Sequence, residues 1–253
     1  MEFKDKLISV NRKYKSELSE ILSFADTTER QLTTQFNNFP ENRDDLDAQE
    51  LVEVGKAILS AAESKTTSSI SLNVSPSTAK LIKEKIVPLK HKGFLMDMTL
   101  SYLLSYQEAM FKDYIFNVLI NQPNALKSKN TITYEDLLNY ESIEEVVGYL
   151  AQKEVDQLGH GSIDDISDYL HKKFKLELSL FPKWTEIIEA TFRRNLVIHN
   201  KGITNDAYCK RTGYKERGVH LVIDIEYIVS SAQNLIDLND FIFSALLKKF
   251  KLE

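Results

Sequence analysis

The residues 193–202, RRNLVIHNKG, carry side chains that could do chemistry. The guanidinium of Arg194 can hold a phosphate through paired N–H donors and stabilise charge growing in a transition state. The imidazole of His199 titrates near neutrality and can take or give a proton. Asn195 adds an amide beside them. On a helical wheel of about 100° per residue, these three fall on one side with Trp184, Ile187 and Ile188. Glu186, Glu189 and Arg193 fall on the other side. Polar groups on an apolar face are costly unless satisfied. They call for a ligand, a neighbouring helix or a second subunit. Plainer roles fit as well. Basic residues in a last helical turn suit the dipole. His199, Asn200 and Lys201 before Gly202 can form a simple C-terminal cap. Arg194 can pair with a carboxylate, for which Glu108 in a long upstream helix is a candidate.

The neighbourhood of these residues is basic. Residues 193–217 hold seven basic and two acidic side chains, inside a chain of net charge −5. Tyr208 and Tyr214 are interleaved with them. A positive field with stacking groups suits a polyanion such as RNA. Arg193, Lys201, Tyr208, Lys210 and Arg211 are the candidate contacts. The alternative is a solvated basic loop balanced by acidic helices, and the overall acidity does not mark a general nucleic-acid binder.

Other chemistry finds little support. Cys209 is the lone cysteine, so an internal disulfide and a cysteine-based zinc site are excluded. There is no phosphate-cradling glycine loop, HExxH or nucleophile elbow. His91, His160, His171 and His220 are isolated and read as surface or structural residues. Asp164, Asp165 and Asp168 read as helix-capping and solvated groups. No metal and no cofactor are expected. The N-terminus lacks the apolar core of a secretory signal, and no apolar run approaches the roughly 20 residues that span a bilayer. These features suit a cytoplasmic protein without a membrane partner.

The elements that must position Arg194 and His199 are helical. Gly (8) and Pro (5) are scarce, which disfavours a turn-rich β architecture. Apolar residues at three- and four-residue spacing from Phe3 through Leu7, Val10, Tyr14, Leu18 and Phe24 predict a helix over about 2–38. A second helix is expected over about 45–63. Residues 65–73 read as a loop or short strand, with Ile70, Leu72 and Val74 alternating. Ser75 and Pro76 open a short helix that Pro88 closes. The stretch 87–93 is then the expected boundary between a region 1–90 and a domain 91–253. A helix over about 94–121 is apolar on a broad face, suggesting burial on more than one side. Thr133, Ser142 and Ser162 are N-cap candidates, Ser142 with a capping box to Glu145. A helix from Pro182 or Lys183 to Asn200 carries the candidate site, with Gly202 as a left-handed stop. A short strand is expected at 219–222 and a final helix over about 225–250.

The pattern Arg194-Asn195-Leu196-Val197-Ile198-His199 at a helix end resembles that of the HEPN family. The order of segments around it is similar too: SYQEAMFKDYIFNVL, YEDLLNYESIEEVVGYLAQKEVDQL, WTEIIEATFRRNLVIHN and VHLVIDIEYIV. The resemblance covers about residues 94–250. It implies an all-α bundle of four to five long helices, with an added N-terminal helical region and at most a minor β-hairpin. It implies a homodimer through the helix bearing Arg194 and His199, and a metal-independent endoribonuclease of the toxin or antiphage type. Arg194 and His199 would be catalytic and Asn195 would orient them. RNA supplies its own nucleophile, the ribose 2′-OH, and the products would end in a 2′,3′-cyclic phosphate and a 5′-hydroxyl. An antitoxin or other regulatory protein is a candidate partner. Lys201 replaces the tyrosine that some HEPN toxins carry two residues after the histidine, which argues against a tyrosine-modifying antitoxin. A catalytically silent HEPN-like module that binds RNA or protein is the alternative.

Overall fold

Three inter-helix hydrogen bonds locate the core of the molecule. Tyr114 donates to the Oδ1 of Asn239 at 2.7 Å, and the Nδ2 of Asn239 donates to the carbonyl of Asn11 at 2.9 Å. The Nδ2 of Asn11 in turn donates to Asp240 at 2.9 Å. They tie three helices into one bundle, and a buried polar group is tolerated because its partners are there. The structure is a computed structural model that describes residues 2–37, 49–54, 56, 73–127, 131–159 and 161–252.

Among the described residues the fold is all-α. In chain order the helices are α1 (Phe3–Asn37), α2 (Pro76–Asn121), α3 (Tyr134–Leu138), α4 (Ile143–Leu158), α5 (Ile163–Phe174), α6 (Trp184–Asn200), α7 (Asp206–Thr212) and α8 (Ile225–Phe250). Residues 49–54 are also helical. Two 3-10 turns, Pro123–Leu126 and Leu178–Leu180, link longer elements. The expected strand at 219–222 is only a single antiparallel bridge between Ile203 and His220. No described helix is long and apolar enough to cross a membrane.

The chain forms two compact units, residues 1–25 with 96–253, and residues 26–95. This differs from a single cut near residue 90, because the first part of α1 joins the C-terminal part. Within the larger unit, α1 contributes buried Leu7, Val10, Tyr14 and Leu18. Phe3 meets Phe250 edge-on, and Lys13 and Tyr14 reach Asp113 at 3.1 and 2.8 Å. These pairs make α1 antiparallel to both α2 and α8. Lys183 pairs with Asp237, and Glu189 with Tyr227, so α6 is antiparallel to α8. Four helices therefore enclose the core: α1, α2, α6 and α8. The broad apolar face expected on α2 is real. Leu100, Leu103, Leu104, Met110, Phe111, Tyr114, Ile115, Val118 and Leu119 are all buried.

The smaller unit contains the end of α1 and the start of α2, where Lys92 pairs with Glu29. Contrary to expectation, Pro88 does not close a helix. It lies inside α2, which runs unbroken from Pro76 to Asn121. Ser75 does cap that helix, its hydroxyl accepting from the N–H of Thr78 at 3.3 Å. Most of the helix expected at 45–63, the alternation at 70–74 save Val74, and His160 lie outside the described residues.

The small helices obey their caps. Thr133, Ser142 and Ser162 accept from the backbone N–H three residues on. Ser162 and Asp165 form a full capping box. At Ser142 the return bond differs, since the carboxylate of Glu145 accepts from the N–H of Glu141 instead.

Candidate functional site

Helix α6 begins after a tight approach from Phe181 and ends in a left-handed stop. Lys201 adopts φ 52° and Gly202 φ 73°. The N–H of Gly202 closes back on the carbonyl of Leu196 at 3.0 Å. Gly202 also has no room for a side chain, because a Cβ there would lie 3.1 Å from the Nε2 of His220. Only glycine satisfies both the positive φ and the close imidazole. The stop turns the chain away at once and leaves His199 and Lys201 exposed at the end of the helix.

Arg194 lies about two turns before that stop. Its side chain is 16% exposed and its guanidinium pairs with Glu108 of α2. A second donor reaches the Oδ1 of Asn195 at 3.3 Å. Its Nε is buried with no hydrogen-bond partner. An unmet buried N–H is costly, so this guanidinium is only partly satisfied. Arg194 and Asn195 are thus brought together, with Glu108 as the carboxylate. His199 lies five residues further along the same helix, with no hydrogen-bond or ion-pair partner among the described residues. Beside Arg194 on the wheel, Ile198 is an apolar side chain left half in solvent.

The opposite side of α6 is packed as well. Glu189 and Arg193 do not face solvent. The Nε of Arg193 donates to Glu189 at 2.7 Å, and its guanidinium lies 4.2 Å from the ring centre of Tyr227. Tyr208 and Tyr227 both donate to Glu189 at 2.6 Å. A buried charge pair needs its remaining lone pairs met, and the two phenols do this for Glu189. Burial, and then the Glu189 carboxylate, push the Tyr208 phenol up to about 12. The same causes push Tyr227 up further. Arg193 and Tyr208 are therefore internal braces. Tyr208 is 2% exposed, so its ring cannot stack on a base.

The basic connection is more ordered than its sequence suggests. Buried Thr204 staples it, donating to the carbonyl of Glu216 at 2.8 Å and accepting from the N–H of Val219 at 3.0 Å. Asn205 caps α7, and Gly213 ends it at φ 76°. Arg211 pairs with Asp164, and Arg217 with Asp206. Lys201 and Lys210 remain exposed cations near the end of α6 and on α7.

Two residues of this end of the bundle were not singled out as site residues. His220 lies over Gly202, and Asp97 of α2 lies near it. Burial raises the Asp97 carboxyl, and His220 works against that rise. Of the other isolated groups, His171 faces Glu177 at 3.4 Å and Asp168 pairs with Lys172. Among the described residues, no group of three or more His, Cys, Asp or Glu is placed to hold a metal ion. Compared with family models, curated proteins and solved structures, the chain matches none.

Proposed function

We propose that this chain is a metal-independent endoribonuclease acting through Arg194 and His199, in the manner of the HEPN proteins its sequence resembles. The observation that carries the reading is the state of Arg194. It is a guanidinium held on α6 with a buried, unpaired Nε, beside Asn195 and one and a half turns from an exposed imidazole. In the proposed reaction the ribose 2′-oxygen attacks phosphorus and the bond from phosphorus to the 5′-oxygen breaks. A base takes the proton of the 2′-hydroxyl, and an acid returns one to the departing 5′-oxygen. His199 serves as one of these groups. Arg194 stabilises the charge on the phosphoryl oxygens, and Asn195 orients it.

A second copy would supply the other imidazole. We place the contact on α6, where half-exposed Ile198 flanks Arg194. Lys201 and Lys210 are the cations best placed to approach a phosphate backbone. A role in growth arrest or antiphage defence, in a cytoplasmic setting and under a regulatory partner, rests on the resemblance alone.

One observation favours the alternative of a silent binding module. Glu108 already occupies the guanidinium of Arg194, and a phosphate must displace it. The test is RNA cleavage in EDTA by the full chain, by His199→Ala and by Glu108→Gln. The nuclease reading expects cleavage in chelator with cyclic-phosphate ends. His199→Ala should lose at least about a hundred-fold in rate, and Glu108→Gln should cleave at least as fast as wild type. RNA binding without cleavage by any of the three would establish the silent module instead.

A further inference from the structure

The short helix α3 is ordered without burying anything. It has five residues and none of them is buried. Helices this short do not hold in water on propensity alone. Yet Tyr134 is 86% exposed, Leu138 84%, and Ile143 at the start of α4 68%. Leu137 and Tyr149 add further exposed apolar surface. Scattered apolar side chains need no explanation, but a contiguous set on consecutive elements marks an interaction surface.

The patch borders a cleft. The cleft has a volume of about 750 Å³, and Leu126, Ile132, Val147, Tyr149 and Leu150 form its apolar walls. Its position is fixed from below. Lys173 donates to the carbonyl of Ala125 at 3.0 Å and pairs with Glu154 at 3.4 Å, while Tyr169 donates to Glu154 at 3.2 Å. Tyr140 packs on Tyr149 with ring centres 5.4 Å apart.

Charge decides what covers it. The described residues 123–127 and 131–157 carry seven acidic side chains and two lysines, Lys127 and Lys153, both of which line the cleft. Asp136 is taken up by the Thr133 cap, and Glu154 by Lys173. Glu135, Glu141 and Glu144 stay exposed around the apolar side chains, with no cation against them among the described residues. Such a surface repels nucleic acid and anionic bilayers. A symmetric contact with a second copy would set these carboxylates against themselves. A segment with apolar anchors and flanking lysines or arginines meets both demands, in the helix-in-groove manner.

We propose that α3, the start of α4 and the adjoining cleft form a docking surface for a basic, amphipathic segment of another protein. The surface uses none of the residues assigned to RNA cleavage, so it stands or falls separately from that reading. Leu138 and Tyr134 are its anchors, and the glutamates set its preference for a cationic partner.

The test uses the full chain and a fluorescein-labelled amphipathic helical peptide of leucine and lysine. A leucine–glutamate peptide of the same pattern is the control. The lysine peptide should bind and weaken with added salt, and the glutamate peptide should not bind. Leu138→Ser and Tyr134→Ser should each weaken binding at least about ten-fold. Both side chains stand in solvent, so the variants should keep the wild-type circular dichroism and melting temperature. Hydrogen exchange should slow on binding over residues 123–127 and 131–157, which line the cleft and the patch, and not in α1, α6 or α8. Equal binding of the two peptides, no binding of the lysine peptide, unchanged affinity in both variants, or protection in α1, α6 or α8 would each overturn the proposal. So would self-association of the wild-type chain that Leu138→Ser abolishes, since a second copy would then be the occupant.

Discussion

Glu189 collects more partners than any group named for catalysis, and its consequence is a pH dependence. It accepts from Arg193, Tyr208 and Tyr227 together. Both phenols must stay neutral to donate. In an unfolded chain a tyrosine loses its proton near pH 10. In the folded chain Tyr208 holds it to about 12, chiefly through burial and then through Glu189. Between those values the unfolded state binds fewer protons than the folded state, so stability falls as pH rises. Below about pH 10 both states are protonated and this contribution is flat. The Tyr208→Phe variant should therefore lose about 1 kcal/mol at neutral pH, the value of one hydrogen bond. It should then show a smaller further drop than wild type between about pH 10 and about pH 12. Denaturant midpoints across that range would check it, and parallel curves would show that Tyr208 does not titrate with unfolding. The Glu189–Arg193 pair had a sequence signature, glutamate four residues before arginine. The wheel placed both opposite Arg194, and a wheel alone does not show that this second side is covered too. Two tyrosines distant in sequence make that second side habitable, and one sequence does not show them meeting. Arg194 was legible as an inward cation, and Glu108 as its partner.

At the scale of elements, local chemistry was readable wherever a cap decides the boundary. Thr133, Ser142 and Ser162 begin helices because each hydroxyl meets an otherwise orphaned backbone N–H. The stop after Asn200 was readable from Gly202, although Lys201 enters the left-handed region one residue earlier. Pro88 was the misleading signal. Proline removes one donor and crowds the carbonyl four residues back, here that of Glu84. The penalty is about 3 kcal/mol and local, while the helix gains on both sides of it. Continuation wins because Thr78 and then Met96, Leu100, Leu103 and Leu104 are buried along the same helix. Pro88→Ala should restore the missing donor and slow amide exchange around residues 84–92 in the smaller unit. Unchanged exchange there would mean that packing, not the proline, sets the local stability of α2.

For the whole molecule, the compact units follow the core rather than the chain, since residues 1–25 group with 96–253. A piece beginning at residue 91 would keep α2 from His91 onward, α6 and α8 but lose α1, the fourth wall. The loss can be weighed. Leu7, Val10, Tyr14 and Leu18 are buried against the bundle, and each such side chain contributes roughly 1.5–3 kcal/mol. Together they match a typical domain stability of about 5–15 kcal/mol. The Nδ2 of Asn239, buried and bonded to the carbonyl of Asn11, would also lose its acceptor, at about 1–3 kcal/mol more. Residues 91–253 alone should therefore lack a cooperative thermal transition and bind a hydrophobic dye. A peptide of residues 2–25 added in trans should restore the transition, since it returns the apolar stripe and the Asn11 carbonyl together. A piece that melts as sharply as the full chain would instead make α1 a strap laid over a core complete without it. The sequence of α1 carried the stripe plainly, and what it could not carry was the address. Leu7 and Tyr14 look the same whether they serve a separate N-terminal region or a bundle whose other helices lie about a hundred or more residues away.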